Sequence, residues 1–232
     1  MDQIRKIKSI SIWVFIIPFV SINTCLILIT QFHELFPNRE DIIHNTFPYL
    51  DGGASISRTA RPYPNWLIFK PAMFLTSFLL IKYWIYNKEI ILSCNNNYKH
   101  KNKLIFFGVG SAIALTIHSI FLGIDFDNNL YKLFRRVIML LFITFEVAAQ
   151  TYLVLALYAF KDKLMNHLNL KVLKLKFFLV FFLILVAVIS IPIISWSGDK
   201  FKFVKHALEW DYFLGVITFY LLTFLMWKNK NN

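Results

Sequence analysis

The chain has 232 residues, of which 57% are hydrophobic and 16% are charged, whereas a soluble domain carries about 25% charged residues. A chain of this composition, with a mean hydropathy of +0.56, cannot cover a water-exposed surface with polar groups. The totals therefore exclude a soluble globular protein and predict a membrane domain. The net charge of +12 does not predict a nucleic-acid partner, because the basic residues lie mainly in short segments between apolar runs, where they set membrane topology.

Six apolar runs are each long enough to cross the hydrocarbon core of a bilayer as a helix. Strands of a membrane barrel alternate in polarity and are about half as long, so the runs predict helices rather than strands. The predicted fold class is all-α, a six-transmembrane-helix bundle in a single domain of residues 1–232. The predicted spans are residues 10–30, 66–86, 104–124, 137–160, 177–196 and 208–227, to within a few residues.

The longest polar interruption, at residues 31–65, separates the first two spans. Its central stretch, Phe47–Phe69, reads FPYLDGGASISRTARPYPNWLIF. Two adjacent glycines and three prolines disfavour a helix there, because glycine frees the backbone and proline lacks an N–H donor. We therefore expect one long ordered loop that lies over the helix bundle.

The distribution of basic residues predicts the orientation of the bundle. With the N-terminus inside, the inner segments carry fourteen Lys or Arg residues and the outer loops carry nine. An excess of positive charge marks the cytoplasmic side of a membrane protein. We therefore expect both termini in the cytoplasm and the long loop on the extracytoplasmic side.

Ionisable side chains within the predicted spans are candidates for a functional site, because their burial in lipid is costly. Glu146 lies in the fourth span, and Gln150 follows one helical turn later on the same face. His118 lies in the outer half of the third span, and Lys70 lies near the outer end of the second. We expect Glu146 and His118 to face the interior of the bundle, and Lys70 either to snorkel outward or to pair with Glu146.

A second group of polar side chains comes from the long loop and from the outer end of the last span. Asp51 and Arg58 lie in the loop, and His206, Glu209 and Trp210 lie where the last span begins. One hypothesis joins both groups in a single ligand-binding pocket open to the outer leaflet. Its basic side chains would hold a lipid phosphate, and its carboxylates and histidines would position polar headgroup atoms or move a proton. The alternative is that each side chain only bonds a neighbouring helix and stabilises the bundle.

The same residues leave several chemical functions open. His118, Glu146 and Glu209 are candidate acid or base groups of a lipid acyltransferase or hydrolase, although the chain has no G-x-S-x-G turn. Glu146 also suits the path of a small transporter or proton-coupled channel. We expect no metal site, because no H-x-x-x-H or H-E-x-x-H pattern brings two histidines together, and we expect no cofactor.

Two stretches carry a resemblance to a known family. The first is PYLDGG at Pro48–Gly53, followed by LIF at Leu67–Phe69, where the second span opens. The second is ALEW at Ala207–Trp210, followed by FYLLTF at Phe219–Phe224. In both stretches the chain resembles the Frag1/DRAM/Sfk1 family of six-span membrane proteins, which has a similar Pro-aromatic-aliphatic start, a Glu-Trp pair and a Phe-Tyr ending.

The resemblance implies a lipid-related role. Members of this family are linked to remodelling of GPI-anchor lipids, to the distribution of phospholipids across membranes, and to lysosomal or autophagy roles. The resemblance implies that this role depends on Asp51, Glu209 and Trp210. It does not imply a particular reaction.

These patterns favour an integral membrane protein that binds or handles lipid through an outward-facing polar pocket. Its expected partners are membrane lipids, and a homo-oligomer is a further alternative. Another alternative is a non-catalytic membrane scaffold that recruits a protein partner through the basic segment of residues 161–176.

Overall fold

The computed structural model describes residues 2–124, 128–196 and 201–228, and for residues 191–196 it describes only the backbone. These described residues form nine α-helices and no β-strand. The helices are α1 (Asp2–Gln31), α2 (Pro48–Asp51), α3 (Ile56–Ala60), α4 (Asn65–Cys94), α5 (Lys101–Phe121), α6 (Asn129–Ala159), α7 (Lys161–Leu164), α8 (Leu170–Trp196) and α9 (Lys202–Met226). The predicted all-α fold class is confirmed.

Six of these helices, α1, α4, α5, α6, α8 and α9, are long and apolar enough to cross a membrane. The predicted number of helices that could span a membrane, six, is therefore confirmed. Helices α1, α6, α8 and α9 begin six to eight residues before the predicted spans. An α-helix satisfies its own backbone hydrogen bonds, so it need not end where the apolar run ends.

The six long helices form a closed ring in the order of the chain. Each packs against the long helix before it and the one after it, and α9 closes the ring against α1. Buried aromatic side chains fill part of its interior, where the Tyr83 ring lies 5.0 Å from the Trp84 ring and 4.9 Å from the Tyr220 ring. On α5, a Cβ at Gly108 would overlap the Trp84 indole, so this glycine allows α4 and α5 to pack closely.

Residues 32–64 connect α1 to α4, and we call residues 46–60 the cap segment. The prediction that this stretch has no helix is wrong in part, because α2 and α3 lie within it. Pro48 occupies the first turn of α2, where a missing N–H breaks no helical hydrogen bond. Ser55 begins α3 by accepting a hydrogen bond from the Arg58 N–H through its hydroxyl.

Gly52 allows the cap segment to contact the start of α9. It ends α2 in the left-handed conformation, with φ of 62°, which favours glycine. A Cβ at this position would overlap the carbonyl oxygen of Phe203. The backbone of the cap segment therefore lies directly against the first turn of α9.

Candidate functional site

Three neighbouring side chains of α9 attach the cap segment to the bundle. The Nδ1 atom of His206 lies 2.9 Å from the Gly52 carbonyl oxygen, and the Trp210 indole N–H donates to the Ala54 carbonyl oxygen over 2.8 Å. The Glu209 carboxylate accepts hydrogen bonds from the backbone N–H groups of Ile56 and Ser57. A carbonyl oxygen can only accept, so the His206 Nδ1 atom carries the proton.

These positions share one face of α9, because residues three and four apart are neighbours on a helix. The Trp210 side chain is fully buried, and its ring lies 4.9 Å from the Tyr49 ring of α2. The Tyr49 hydroxyl in turn donates to the Asn23 side chain of α1 over 3.2 Å. The cap segment is thus held by two of the long helices.

Asp51 organises the turn that leads out of α2. Its carboxylate accepts from the Thr46 hydroxyl over 2.6 Å and from the backbone N–H groups of Phe47 and Gly53 over 2.7 and 2.8 Å. The Thr46 hydrogen bond is the main reason that the pKa of the exposed Asp51 carboxyl lies below its ordinary value. Asp51 therefore stabilises the shape of the cap segment in its ionised form.

A separate cluster of polar side chains surrounds Glu146 inside the bundle. Glu146 is 1% exposed, and its carboxylate accepts from the Ser111 hydroxyl over 2.7 Å and from the Gln150 amide over 3.0 Å. The Tyr220 hydroxyl donates to the same carboxylate. The Gln150 amide also reaches the Val216 carbonyl oxygen at 3.2 Å. This cluster joins α5, α6 and α9, and it confirms that Glu146 and Gln150 share one face of α6.

Lys176 forms the second buried ionisable site. Its side chain is 0% exposed, and its Nζ atom donates to the Thr223 hydroxyl over 2.7 Å and lies 3.7 Å from the centre of the Phe219 ring. The Thr223 hydroxyl lies 3.0 Å from the Tyr83 hydroxyl, so this contact reaches α4. Lys176 ends the basic segment of residues 161–176, but it lies on α8, which begins at Leu170, and its side chain is buried rather than exposed.

The side chains that complete this interior cluster were missed from the sequence. They are Tyr83, Ser111, Lys176, Tyr220 and Thr223. A Ser, Thr or Tyr within an apolar run carries no signal of its own, since such residues also bond their own helix or face lipid. Tyr220 and Thr223 are three residues apart and therefore share one face of α9. This spacing is the signal in the sequence that could have indicated a polar cluster.

The remaining predicted site residues lie outside both groups. Lys70 donates to the Ile120 carbonyl oxygen over 3.2 Å rather than to Glu146. His118 has a buried Nδ1 atom without a hydrogen-bond partner among the described residues. The Arg58 side chain is exposed. The predicted residues therefore do not form one pocket. One group attaches the cap segment, and the other forms the interior cluster around Glu146.

The described residues also contain an open groove between α2 and α9. It has a volume of about 290 Å3 and is lined by Leu50, Asp51, Phe203, Val204, Ala207, Leu208 and Asp211. Neither Glu146 nor His118 lines it. Across the described ranges, no three or more His, Cys, Asp and Glu side chains come together as a group that could hold a metal ion.

No protein-family model matches the chain, and no curated protein or solved structure matches it either. The resemblance to Frag1/DRAM/Sfk1 proteins therefore stays a prediction from the sequence.

We expect replacement of Glu209 to loosen the cap segment. In Glu209→Ala the N–H groups of Ile56 and Ser57 lose their acceptor, and two hydrogen bonds of about 1 kcal/mol each correspond to roughly thirtyfold. Hydrogen exchange in detergent should therefore be about ten- to thirtyfold faster at these two amides. The matched control is Asp211→Ala, which removes an exposed carboxylate on the same helix. Equal exchange in both variants would show that Glu209 does not hold the cap segment.

We expect the two buried ionisable residues to respond oppositely to substitution. Glu146→Ala removes the acceptor that Ser111, Gln150 and Tyr220 share. The buried Tyr220 hydroxyl then has no acceptor, at a cost of about 1–3 kcal/mol, so the unfolding temperature should fall by several degrees. Lys176→Met removes a buried amino group but keeps the length of the side chain and its contact with the Phe219 ring, so the unfolding temperature should stay or rise. Thermal unfolding followed by tryptophan fluorescence compares them. A loss in Lys176→Met as large as that in Glu146→Ala would contradict this assignment.

Proposed function

We propose that this integral membrane protein binds a phospholipid on its extracytoplasmic side, in the groove between α2 and α9. The observation that carries the proposal is the composition of this groove. Apolar side chains form most of its lining, and the carboxylates of Asp51 and Asp211 lie beside them. A surface of this kind suits a ligand that has both an acyl chain and a charged headgroup.

The apolar lining is exposed to an extent that favours a lipid environment. Leu50 is 82% exposed and Phe203 is 61% exposed, and Val204 next to it is also exposed. Such a contiguous apolar surface marks a site of interaction with a membrane, a ligand or a partner. Because α9 is a candidate membrane span, its first turns lie where headgroups meet acyl chains.

Charges of both signs near the groove favour a zwitterionic headgroup. The carboxylates of Asp51 and Asp211 line the groove and attract an ammonium group. Lys202 lies one helical turn before His206 on α9, and Arg58 lies on α3 within the cap segment, so both cations belong to the elements that meet at the attachment. They suit a phosphate, as the sequence predicted for Arg58.

In this proposal the predicted site residues have two different tasks. Asp51 and Arg58 meet the ligand, whereas His206, Glu209 and Trp210 hold the wall of the groove in place. Glu146 and Gln150 stabilise the bundle without contacting the ligand. The resemblance to Frag1/DRAM/Sfk1 proteins supports a lipid-related role, since Asp51, Glu209 and Trp210 are among the residues that carry it.

The orientation is part of the proposal, and the excess of basic residues in the inner segments supports it. Single cysteines test it in a background without Cys25 and Cys94. A membrane-impermeant maleimide should label Arg39→Cys in intact cells, and should label Asn96→Cys only after permeabilisation. The reverse pattern would place the groove on the cytoplasmic side.

Filling the groove tests lipid binding directly. We expect a phosphatidylcholine with a photoreactive acyl chain to label peptides around α2 and the start of α9 when the protein is in nanodiscs. Ala207→Trp places a large ring in the groove and should abolish this labelling. Leu225→Trp, at an exposed position near the other end of α9, is the matched control and should leave it unchanged. Unchanged labelling in Ala207→Trp would overturn the proposed site.

A further inference from the structure

A second groove lies at the opposite end of the bundle, between the start of α5 and the last part of α6. Its volume is about 370 Å3, and its lining is Asn102, Lys103, Phe106, Phe107 and Tyr152. Helix α4 begins beside the cap segment, and α5 begins near the other end of α4. The two grooves are therefore separated by the length of α4.

Aromatic rings build the deeper part of this groove. The Phe107 ring is stacked on the Tyr152 ring, with centroids 5.8 Å apart and an interplanar angle of 10°. Phe106 is 64% exposed, and both phenylalanines contact Phe145 of α6, with ring centroids 5.7 and 5.4 Å apart. These contacts hold the rings in place and leave an apolar surface uncovered.

Basic residues are concentrated in sequence around the start of α5, where the groove lies. Lys99, Lys101 and Lys103 lie within five residues, and the sequence has no Asp or Glu between Glu89 and Asp125. Lys103 lines the groove and is exposed. The lining residues include no acid, so an anion at this mouth meets no repulsion from the groove itself.

His100 provides a second polar group at the same place. Its ring lies against the Tyr152 ring, with centroids 5.7 Å apart. Its Nδ1 atom is buried and has no hydrogen-bond partner within the described residues. The His100 ring therefore packs against Tyr152, which forms part of the wall of the groove.

The order of these residues along α5 matches the layers of a membrane leaflet. Lys101 is the first residue of the helix, and Phe106 and Phe107 follow about 8–9 Å further along its axis. With α5 across a bilayer, this order would put the lysines at the depth of the phosphates and the aromatic rings at the depth of the upper acyl chains.

We infer that this groove, with Lys103 at its mouth and Phe106, Phe107 and Tyr152 along its wall, binds an anionic membrane phospholipid. Lys103 holds the phosphate and the rings contact one acyl chain. Basic pockets between membrane helices bind anionic headgroups in this way. The site is independent of the groove at α2, which has carboxylates in its lining and suits a zwitterionic headgroup.

Native mass spectrometry of the detergent-extracted protein tests the inference with two probes, phosphatidylglycerol and phosphatidylcholine at equal concentrations. The wild-type chain should retain phosphatidylglycerol in preference to phosphatidylcholine. In Lys103→Gln the retained phosphatidylglycerol should fall about fivefold, which is the effect of one lysine at a membrane surface. Lys174→Gln, which removes another exposed lysine of the same end of the bundle, is the matched control and should keep it.

Two results would overturn the inference. Equal losses in Lys103→Gln and Lys174→Gln would show that diffuse surface charge holds the lipid rather than this groove. Complete displacement of phosphatidylglycerol by millimolar inorganic phosphate would show that the site recognises a free anion and gains nothing from the acyl chain. Neither result would bear on the groove at α2, because phosphatidylcholine labelling there is measured separately.

Discussion

The hydrogen bonds around Glu146 are the constraint on which the rest of the bundle depends. Apolar helix surfaces gain little by leaving lipid for one another, so membrane helices associate through close packing and polar contacts. A carboxylate in this environment requires donors, and Ser111, Gln150 and Tyr220 supply them from α5, α6 and α9. Rotation of any of the three helices would leave a polar group unpaired, so the cluster determines which face of each helix points inward.

Helix α9 links this interior cluster to the surface of the protein. Trp210 and Tyr220 lie about 15 Å apart along the same helix, with Trp210 bonded to the cap segment and Tyr220 bonded to Glu146. The rotation of α9 that satisfies the buried carboxylate therefore also presents His206, Glu209 and Trp210 to the cap segment. The wall of the groove at α2 is built by the same helix, so the shape of this groove depends on the interior of the bundle.

The side chains that are accessible to a ligand lie in two grooves at the periphery of the bundle. In the described interior, aromatic rings pack around the polar side chains, and both grooves open on the outer surface instead. Their charges differ, since one groove has two carboxylates and the other has a lysine with further basic residues beside it. If both proposals hold, the two ends of the bundle bind lipids with different headgroups, whereas its centre provides stability.

The sequence by itself determined the fold class and the number of spans, because twenty-residue apolar runs have no stable form in lipid other than a helix. It also identified Glu146 with Gln150, and Glu209 with Trp210, because charged or amide groups stand out in apolar surroundings and their spacing places them on one helix face. Only the tertiary structure decided their partners. Glu209 bonds the backbone of α3, Lys70 bonds Ile120, and Lys176 turns inward, since each contact depends on which helices become neighbours and how each is rotated. Hydrophobic runs in the sequence predict which residues form a helix, but they do not predict which helix packs beside it.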